Sequence, residues 1–435
     1  MKLKLADVEF DHGSVVDPAG KVFHYGGRVF RAIPEHYATI YTRLLHAPFI
    51  NKVFDAGLIE TWIADVKLEG FPLVLEHKKI HFLSKWTEWS SEMIKDATIR
   101  VCELNLELTK HGYYTKDAQP GNIQFVQGRA YWIDFGSIEK VSDGCTFPFD
   151  QFRYHSVFPL WLLSKNYVGL SRAIYSEVGK GYLKVFSTKN PFKELPMWYS
   201  RIISKSRNTS LTEKLEMLLP YLDSLDVKSR STFWTSYGQG GMPSVDQPEQ
   251  FKEKATAVYK LLQKLPNGTL LDTAGNKGWH AELAAHLGHE VVSFDIDDAS
   301  VCHLYKRVKK SNLKILPLVM NFLYPTPPFS IGLGKGSAFE RLQADTVLVL
   351  ALIHHLVFKQ GVYFEPIARI VSEYSNKFAI LEFVPKEDKY VKEWYSPQYS
   401  WYTLDNFVES LKPYFRSIQV YDSWPPPRKL LFCVK

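Results

Sequence analysis

From Thr269 onward the chain follows one rule, in which short apolar runs alternate with amphipathic ones. "TLLDTA", "EVVSFDID", "LKILPLVM", "DTVLVLAL" and "KFAILEFV" are nearly continuous apolar stretches. Between them, "WHAELAAHLG", "SVCHLYKRVKK" and the segment near Glu365 to Tyr374 carry helical spacing, with Gly288 stopping the first helix. Strands that are apolar throughout must be covered on both faces, so this alternation predicts a parallel sheet with helices on either side. "SIQVYDSW" and "RKLLFCVK" add two closing strands joined by a Pro-rich turn, which brings the sheet to seven strands.

The upstream half obeys no such rule. "KVFHY" and "RVFRAI" predict a hairpin, with turns at Asp17 to Gly20 and at Gly26-Gly27. A helix starts at Pro34, and "ETWIADV" and "PLVLEHKKIHFLSKW" supply further strands. A long amphipathic helix runs from about Ser91 to Lys110, and Phe152 to Tyr221 is helical and aromatic-rich. Thr235 to Gln250 concentrates Gly, Pro, Ser and Gln and reads as a connector. The expected organisation is an α+β domain over residues 1–230 and an α/β domain over 231–435. A chain of 435 residues with 46% hydrophobic content has material for both cores.

Composition narrows the setting. The net charge of +7 is spread along the chain without a dense basic tract, so nucleic acid is not indicated as a partner. Four scattered cysteines form no CxxC pair, which argues against a zinc knuckle or a disulfide framework and fits a reducing compartment. The start "MKLKLADVEFDHG" lacks the apolar core of a signal peptide, and "TVLVLALIHHLVF" is too short to span a bilayer. The expected location is the cytoplasm, with no transmembrane segment. Oligomeric state stays open.

Ligands of an open parallel sheet bind beyond the carboxyl ends of its strands. Asp272 ends the first strand of the α/β half. Gly275, Asn276 and Gly278 form the turn, where small residues let backbone approach a ligand and the following helix offers free N–H groups. Asp295 ends the second strand 23 positions later, where a carboxylate can accept hydrogen bonds from ribose hydroxyls. The spacing suits a nucleoside ligand and does not by itself separate NAD from S-adenosylmethionine.

With its closing strand, the region from Trp234 to the end resembles a class I S-adenosylmethionine-dependent methyltransferase, "LDTAGNKG" matching the first motif and "SFDID" the second. "PLVMNFLYPTPPF", "LVLALIHHL" and "LEFVPKED" resemble, more narrowly, a bacterial group of two-part methyltransferases that includes nodulation-associated proteins. The resemblance implies a Rossmann-like domain that uses S-adenosyl-L-methionine. Asp272 and Gly275 would contact its methionine part, Asp295 its ribose, and Asn321 its adenine edge. Ala274 departs from the pattern, where many members have glycine. "TPPF" is similar to the motif of DNA amino-methylases but follows the third strand instead of the fourth, so that reading is set aside. His354 and His355 stand where acceptor-side groups project, and a base near neutral pKa would help an alcohol lose its proton. Glu382, ending "AILE", is a second candidate base, or equally a residue that fixes the cofactor or a loop. The resemblance implies methyl transfer to an oxygen of a glycan or other small-molecule acceptor.

Upstream, Asp117 and Asn122 lie five apart in "KDAQPGN", and Asp134 begins "DFG". Phosphoryl transfer needs one carboxylate to orient the acceptor hydroxyl, with an Asn and a second Asp holding Mg²⁺ between phosphates. The short distance from DFG to "TFPFDQF" resembles small-molecule and lipopolysaccharide kinases, which implies a small β-rich lobe with a helical lobe. Asn122 and Asp134 would then hold Mg²⁺ if nucleotide binds, making Mg-ATP a further cofactor, and Asp150 would brace the loop. The departures are Thr115 for the loop histidine, no glycine-rich phosphate loop, and Arg31 at the place of the phosphate-binding lysine. Two alternatives stand beside a methyltransferase with a degenerate kinase-like module. One is a bifunctional kinase–methyltransferase acting on a polysaccharide end; the other is a non-catalytic scaffold whose kinase-like half recruits a partner.

Overall fold

Two adjacent glycines decide the first supersecondary unit. Gly26 and Gly27 both take positive φ (56° and 75°), the conformation a tight hairpin demands at its centre. They join β2 (Lys21–Tyr25) to β3 (Arg28–Ile33). β3 continues the sheet to β6 (Leu73–His77), and β4 (Thr61–Ile63) closes it, all antiparallel in the order β2-β3-β6-β4. Phe23 and Phe30 stack at 5.3 Å, fully buried, over Leu3 and Leu68 of the small parallel pair β1 (Lys2–Leu3) and β5 (Lys67–Leu68).

The structure is a computed structural model and describes residues 1–14, 17–142, 147–176, 209–227, 231–236, 242–328 and 336–435. The chain forms two compact units, Met1–Lys228, and Ser229–Phe329 with Gly336–Lys435. The helix Ser91–Thr109 begins where the Ser90 hydroxyl accepts from the Met93 N–H. It buries Met93, Val101, Leu104 and Leu108 on one face. After it come β7 (Tyr113–Thr115), the hairpin β8 (Ile123–Val126) and β9 (Arg129–Trp132), and β10 (Ile138–Lys140), which pairs back on β7. Of the helical stretch expected from Phe152 to Tyr221, the described parts include helices at Phe158–Ser164, Val168–Ser176 and Leu211–Ser224; residues 177–208 lie outside the described residues.

The second unit holds one seven-stranded sheet: β11 (Thr269–Thr273), β12 (Glu290–Asp295), β13 (Ile315–Val319), β14 (Ala344–Val349), β15 (Ser375–Phe383), β16 (Ser417–Asp422) and β17 (Lys429–Val434). Their order is β13-β12-β11-β14-β15-β17-β16, and the first five are parallel. The sheet is mixed, not parallel throughout: β17 runs antiparallel to both β15 and β16. The connection from β16 to β17 is too short for the crossover that a parallel pair requires, so the chain can only fold back. Leu270, Leu304, Leu348 and Ile380 lie in its core. Because the order reverses between β11 and β14, the crevice at their carboxyl ends is where a ligand fits. Among the described residues, no helix is long and apolar enough to cross a membrane.

Candidate functional site

The turn after β11 is drawn tightly against β12. The Gly275 N–H donates to the Phe294 carbonyl (3.0 Å), and the Gly278 N–H donates to Gly275 (2.8 Å). A Cβ on Gly275 would collide with the Ser293 hydroxyl and come within 2.7 Å of Asp272 Oδ2. Gly278 takes φ 78° as it caps the helix Trp279–His286. Ala274 and Asn276 also take left-handed backbone (57° and 51°), a conformation that costs alanine about 1–2 kcal/mol. The chain therefore keeps the turn's shape with alanine in place of glycine.

Two carboxylates face this turn. Asp272 is buried, and Ser293 donates to it at 3.4 Å. Burial, helped by the charge of Asp295, pushes its carboxyl up to about 7. Asp295 accepts from the Asn276 N–H (2.8 Å) and the Asp297 N–H (2.9 Å), yet burial still raises it. Among the described residues, neither has a cation at salt-bridge distance. Asp272, Gly275, Asn276, Gly278 and Asp295 all line a cavity of about 1460 Å³. Asn321 does not. Its Oδ1 accepts from the Leu323 and Tyr324 N–H groups (2.8 and 3.3 Å), a local turn that takes the side chain's acceptor.

On the acceptor side, β14 ends at Val349, and the two histidines lie in the helix that follows it, Ile353–Gln360. Both reach the cavity. His354 is 4% exposed with its Nδ1 lacking a partner, and burial pushes it down to about 3, assisted by His355 and Arg428. His355 is also lowered by burial, and it packs edge-on to Trp234 (5.5 Å) and tilted against Trp394 (5.2 Å). Glu382 is not placed as a free base. Fully buried, it accepts from Lys254 Nζ (2.5 Å) and Ser423 (3.3 Å), with Arg428 at 3.8 Å. Arg428 in turn donates to Asp388 (2.8 Å). Glu382 and Asp388 thus anchor Lys254 and Arg428, whose side chains reach the cavity wall.

Sequence reasoning missed Lys254, Arg428 and Trp394, which sit in ordinary helical or charged contexts with no motif around them. It also took Thr235 to Gln250 for a connector. Its described part, with the preceding Phe233 and Trp234, walls the cavity: Asn276 donates to the Trp234 carbonyl (3.1 Å) and Trp279 Nε1 to that of Pro243 (2.8 Å). Residues 237–241 lie outside the described residues.

In the upstream unit, the turn Pro120–Asn122 lies beside Asp134: the Asn122 carbonyl accepts from the Ile133 N–H (2.8 Å). Arg31 on β3 reaches Asp134 (3.0 Å) and Asp17 (2.5 Å). Burial raises the Asp134 carboxyl, with Arg31 opposing. The Thr115 hydroxyl donates to the Asp117 carbonyl (2.8 Å), holding the loop from within. Asp150 does not brace it, being 83% exposed and paired with Arg153. That work falls to Gln151, which accepts from the Ala118 N–H (2.7 Å) and donates to Asp117 (3.4 Å). An exposed acid gains nothing by reaching inward, whereas an amide can donate and accept at once.

The order of the seven strands, the reversed β17 and the glycine turn between two carboxylates form one pattern. This is a Rossmann-like seven-stranded mixed sheet, consistent with the class I methyltransferase fold. No family model matches the chain. It is 26% identical over 417 residues to the nodulation protein NoeA of Rhizobium meliloti (strain 1021), covering 87% of this chain and 86% of that one. Among solved structures, monomeric WbdD aligns at TM-score 0.32 and 13% identity, over 43% of each chain, so the match spans less than half of that protein. Magnesium protoporphyrin IX methyltransferase of Synechocystis PCC 6803 aligns at 0.31 and 15%, over 48% of this chain and 86% of that one. N-methyltransferase NodS of Bradyrhizobium japonicum WM9 aligns at 0.29 and 11%, over 41% and 93%.

Proposed function

We propose that the chain transfers a methyl group from S-adenosylmethionine to an oxygen of a carbohydrate or other secondary-metabolite acceptor. The observation that carries the cofactor assignment is the pair Asp272, buried, and Asp295, partly buried, beside a glycine turn, with no cation at salt-bridge distance among the described residues. A ligand with a positively charged amino acid end and a ribose diol matches that need. Asp272 would face the cationic end and Asp295 the diol, while Lys254 adds a positive charge on the same wall. The cofactor, when bound, supplies an electrophilic methyl group. A single ligand site is commonly about 300–1,000 Å³, so this cavity of about 1460 Å³ has room for an acceptor as well.

The chain's share of the chemistry is to hold the acceptor in line and take its proton. Of the two histidines, we assign the base to His355, because the deep burial that pushes His354 down to about 3 disfavours its taking up a proton. Replacing His355 by Ala should lower turnover about 10²–10⁴-fold with cofactor affinity nearly intact, read from steady-state kinetics beside calorimetry. The oxygen and carbohydrate assignments follow the resemblance to nodulation-associated two-part methyltransferases. Met1–Lys228 we read as a kinase-like module that binds acceptor or partner, on the strength of Arg31, Asp117, Asn122 and Asp134 converging on one loop.

Calorimetry with S-adenosylmethionine tests the core of this reading. Wild type should bind it, NAD should not compete, and Asp295→Ala should weaken binding by about 1–3 kcal/mol through loss of a charged acceptor. Equal affinity in both proteins would remove the assignment.

A further inference from the structure

The kinase-like reading implies a divalent cation at Asn122 and Asp134, and the residues present do not fit one. Arg31 lies with its side chain only 7% exposed, and its guanidinium spans two carboxylates, Asp17 Oδ2 at 2.5 Å and Asp134 Oδ1 at 3.0 Å. The slot is built for it. A Cβ on Gly136 would collide with the guanidinium and come within 2.9 Å of Asp17, and the Gly136 carbonyl is pinned by the Tyr41 hydroxyl at 2.8 Å. Asp17 is fixed from its other oxygen, which accepts from the Ala19 N–H at 2.9 Å. Among the described residues, no group of three or more His, Cys, Asp or Glu is arranged to hold a metal.

We propose that Arg31 is a tethered cation standing where a divalent metal would sit, so that Met1–Lys228 takes no Mg²⁺ and any anionic ligand it binds is bound without metal. This rests on the kinase-like reading of that unit. The chemistry is direct. Mg²⁺ dehydrates reluctantly and wants a near-octahedral set of oxygens, while a guanidinium arrives already dehydrated, permanently charged and shaped to bridge two carboxylates. Asp17 adds to the exclusion. It sets a second carboxylate on the same guanidinium as Asp134, adding negative charge where a phosphate would approach, and it takes the Arg31 Nη1 hydrogen bond. Arg31 would have to release one carboxylate before a metal–phosphate complex could enter.

Mn²⁺ as an electron-paramagnetic probe of the full-length chain tests this, with and without a non-hydrolysable ATP analogue. Wild type should leave the free-ion signal equal to that of a protein-free control under both conditions, since the analogue itself chelates some Mn²⁺. Arg31→Met should take up Mn²⁺ stoichiometrically, and Asp134→Asn added to it should abolish the uptake. If circular dichroism shows Arg31→Met unfolded, Arg31→Lys takes its place, since a single ammonium cannot span both carboxylates. Uptake by wild type that Asp134→Asn removes overturns the proposal, as does a folded variant that gains no site. A fluorescent ATP analogue in EDTA separates this from the kinase-like reading. Binding there supports metal-free recognition, whereas binding only with Mg²⁺ overturns it. No binding under either condition, with uptake in Arg31→Met, supports the cation assignment and counts against nucleotide recognition by the module.

Discussion

Two pairs of aspartates lie wholly or partly out of solvent, and their charges are met in opposite ways. Asp17 and Asp134 share a guanidinium from their own unit. Asp272 and Asp295 have backbone and hydroxyl donors but no paired cation among the described residues, and burial raises both. Burying a carboxylate without a counter-charge is unfavourable, so the second pair lacks a cationic partner, whereas the first has its counter-charge in place. The two sites differ in charge satisfaction more than in motif quality.

The largest test of this contrast is Arg31→Ala. Removing one partner of a buried ion pair strands the other, so the variant should lose about 3–5 kcal/mol of stability by denaturant unfolding. A loss under about 1 kcal/mol would show that the cluster is open to water and not the closed assembly described.

The opposite outcome is expected at the other pair. Asp272 is raised from 3.8 to about 7 in the folded chain. Between those values the native state holds a proton that the unfolded state has released. Ligand-free stability from this group therefore falls as pH rises from 3.8 to about 7, and is level above. Asp272→Asn should remove this cost and raise ligand-free stability at pH 8 by on the order of 2 kcal/mol, while weakening cofactor binding. Wild-type affinity for S-adenosylmethionine should rise with pH through about 7, as the carboxylate ionises; a flat profile in calorimetry would place the cationic end of the cofactor elsewhere.

The smallest effect belongs to the turn between the two carboxylates. Ala274→Gly relieves a left-handed alanine at φ 57°, worth about 1–2 kcal/mol, but adds unfolded-state entropy of about 0.4–1 kcal/mol. The net should be a rise of under about 1 kcal/mol with cofactor affinity unchanged. Lost affinity would mean that the alanine methyl packs on the ligand.

Much of the second unit was legible in the chain because its signals are local. Apolar runs name the strands, Gly288 and Gly278 mark helix ends, and Asp272 and Asp295 stand at strand ends by counting. The insertion of β17 between β15 and β16 was not legible, since it depends on which strand the closing run pairs with. Nor was the location of the histidines in a helix, because "LALIHHLVF" is apolar enough for either strand or helix. In the upstream unit the spacing of Asp117, Asn122 and Asp134 could be read directly, but the brace could not: Asp150 and Gln151 are neighbours, and only the helix phase decides which turns inward.

Sequence by itself determined the alternation, the seven strands and the positions of the acids, since each follows from periodicity and from residues with restricted backbone. Tertiary structure decided what those acids are worth. Whether a buried aspartate is held by an arginine 103 positions away, as Asp134 is by Arg31, or left to await a ligand, as Asp272 is, depends on distances between segments remote in the chain. It also decided that Glu382, an isolated acid at a strand end in the sequence, is the buried anchor of Lys254 and Arg428. Electrostatic interaction falls with distance through space and is blind to separation along the chain, so only the folded molecule sets it.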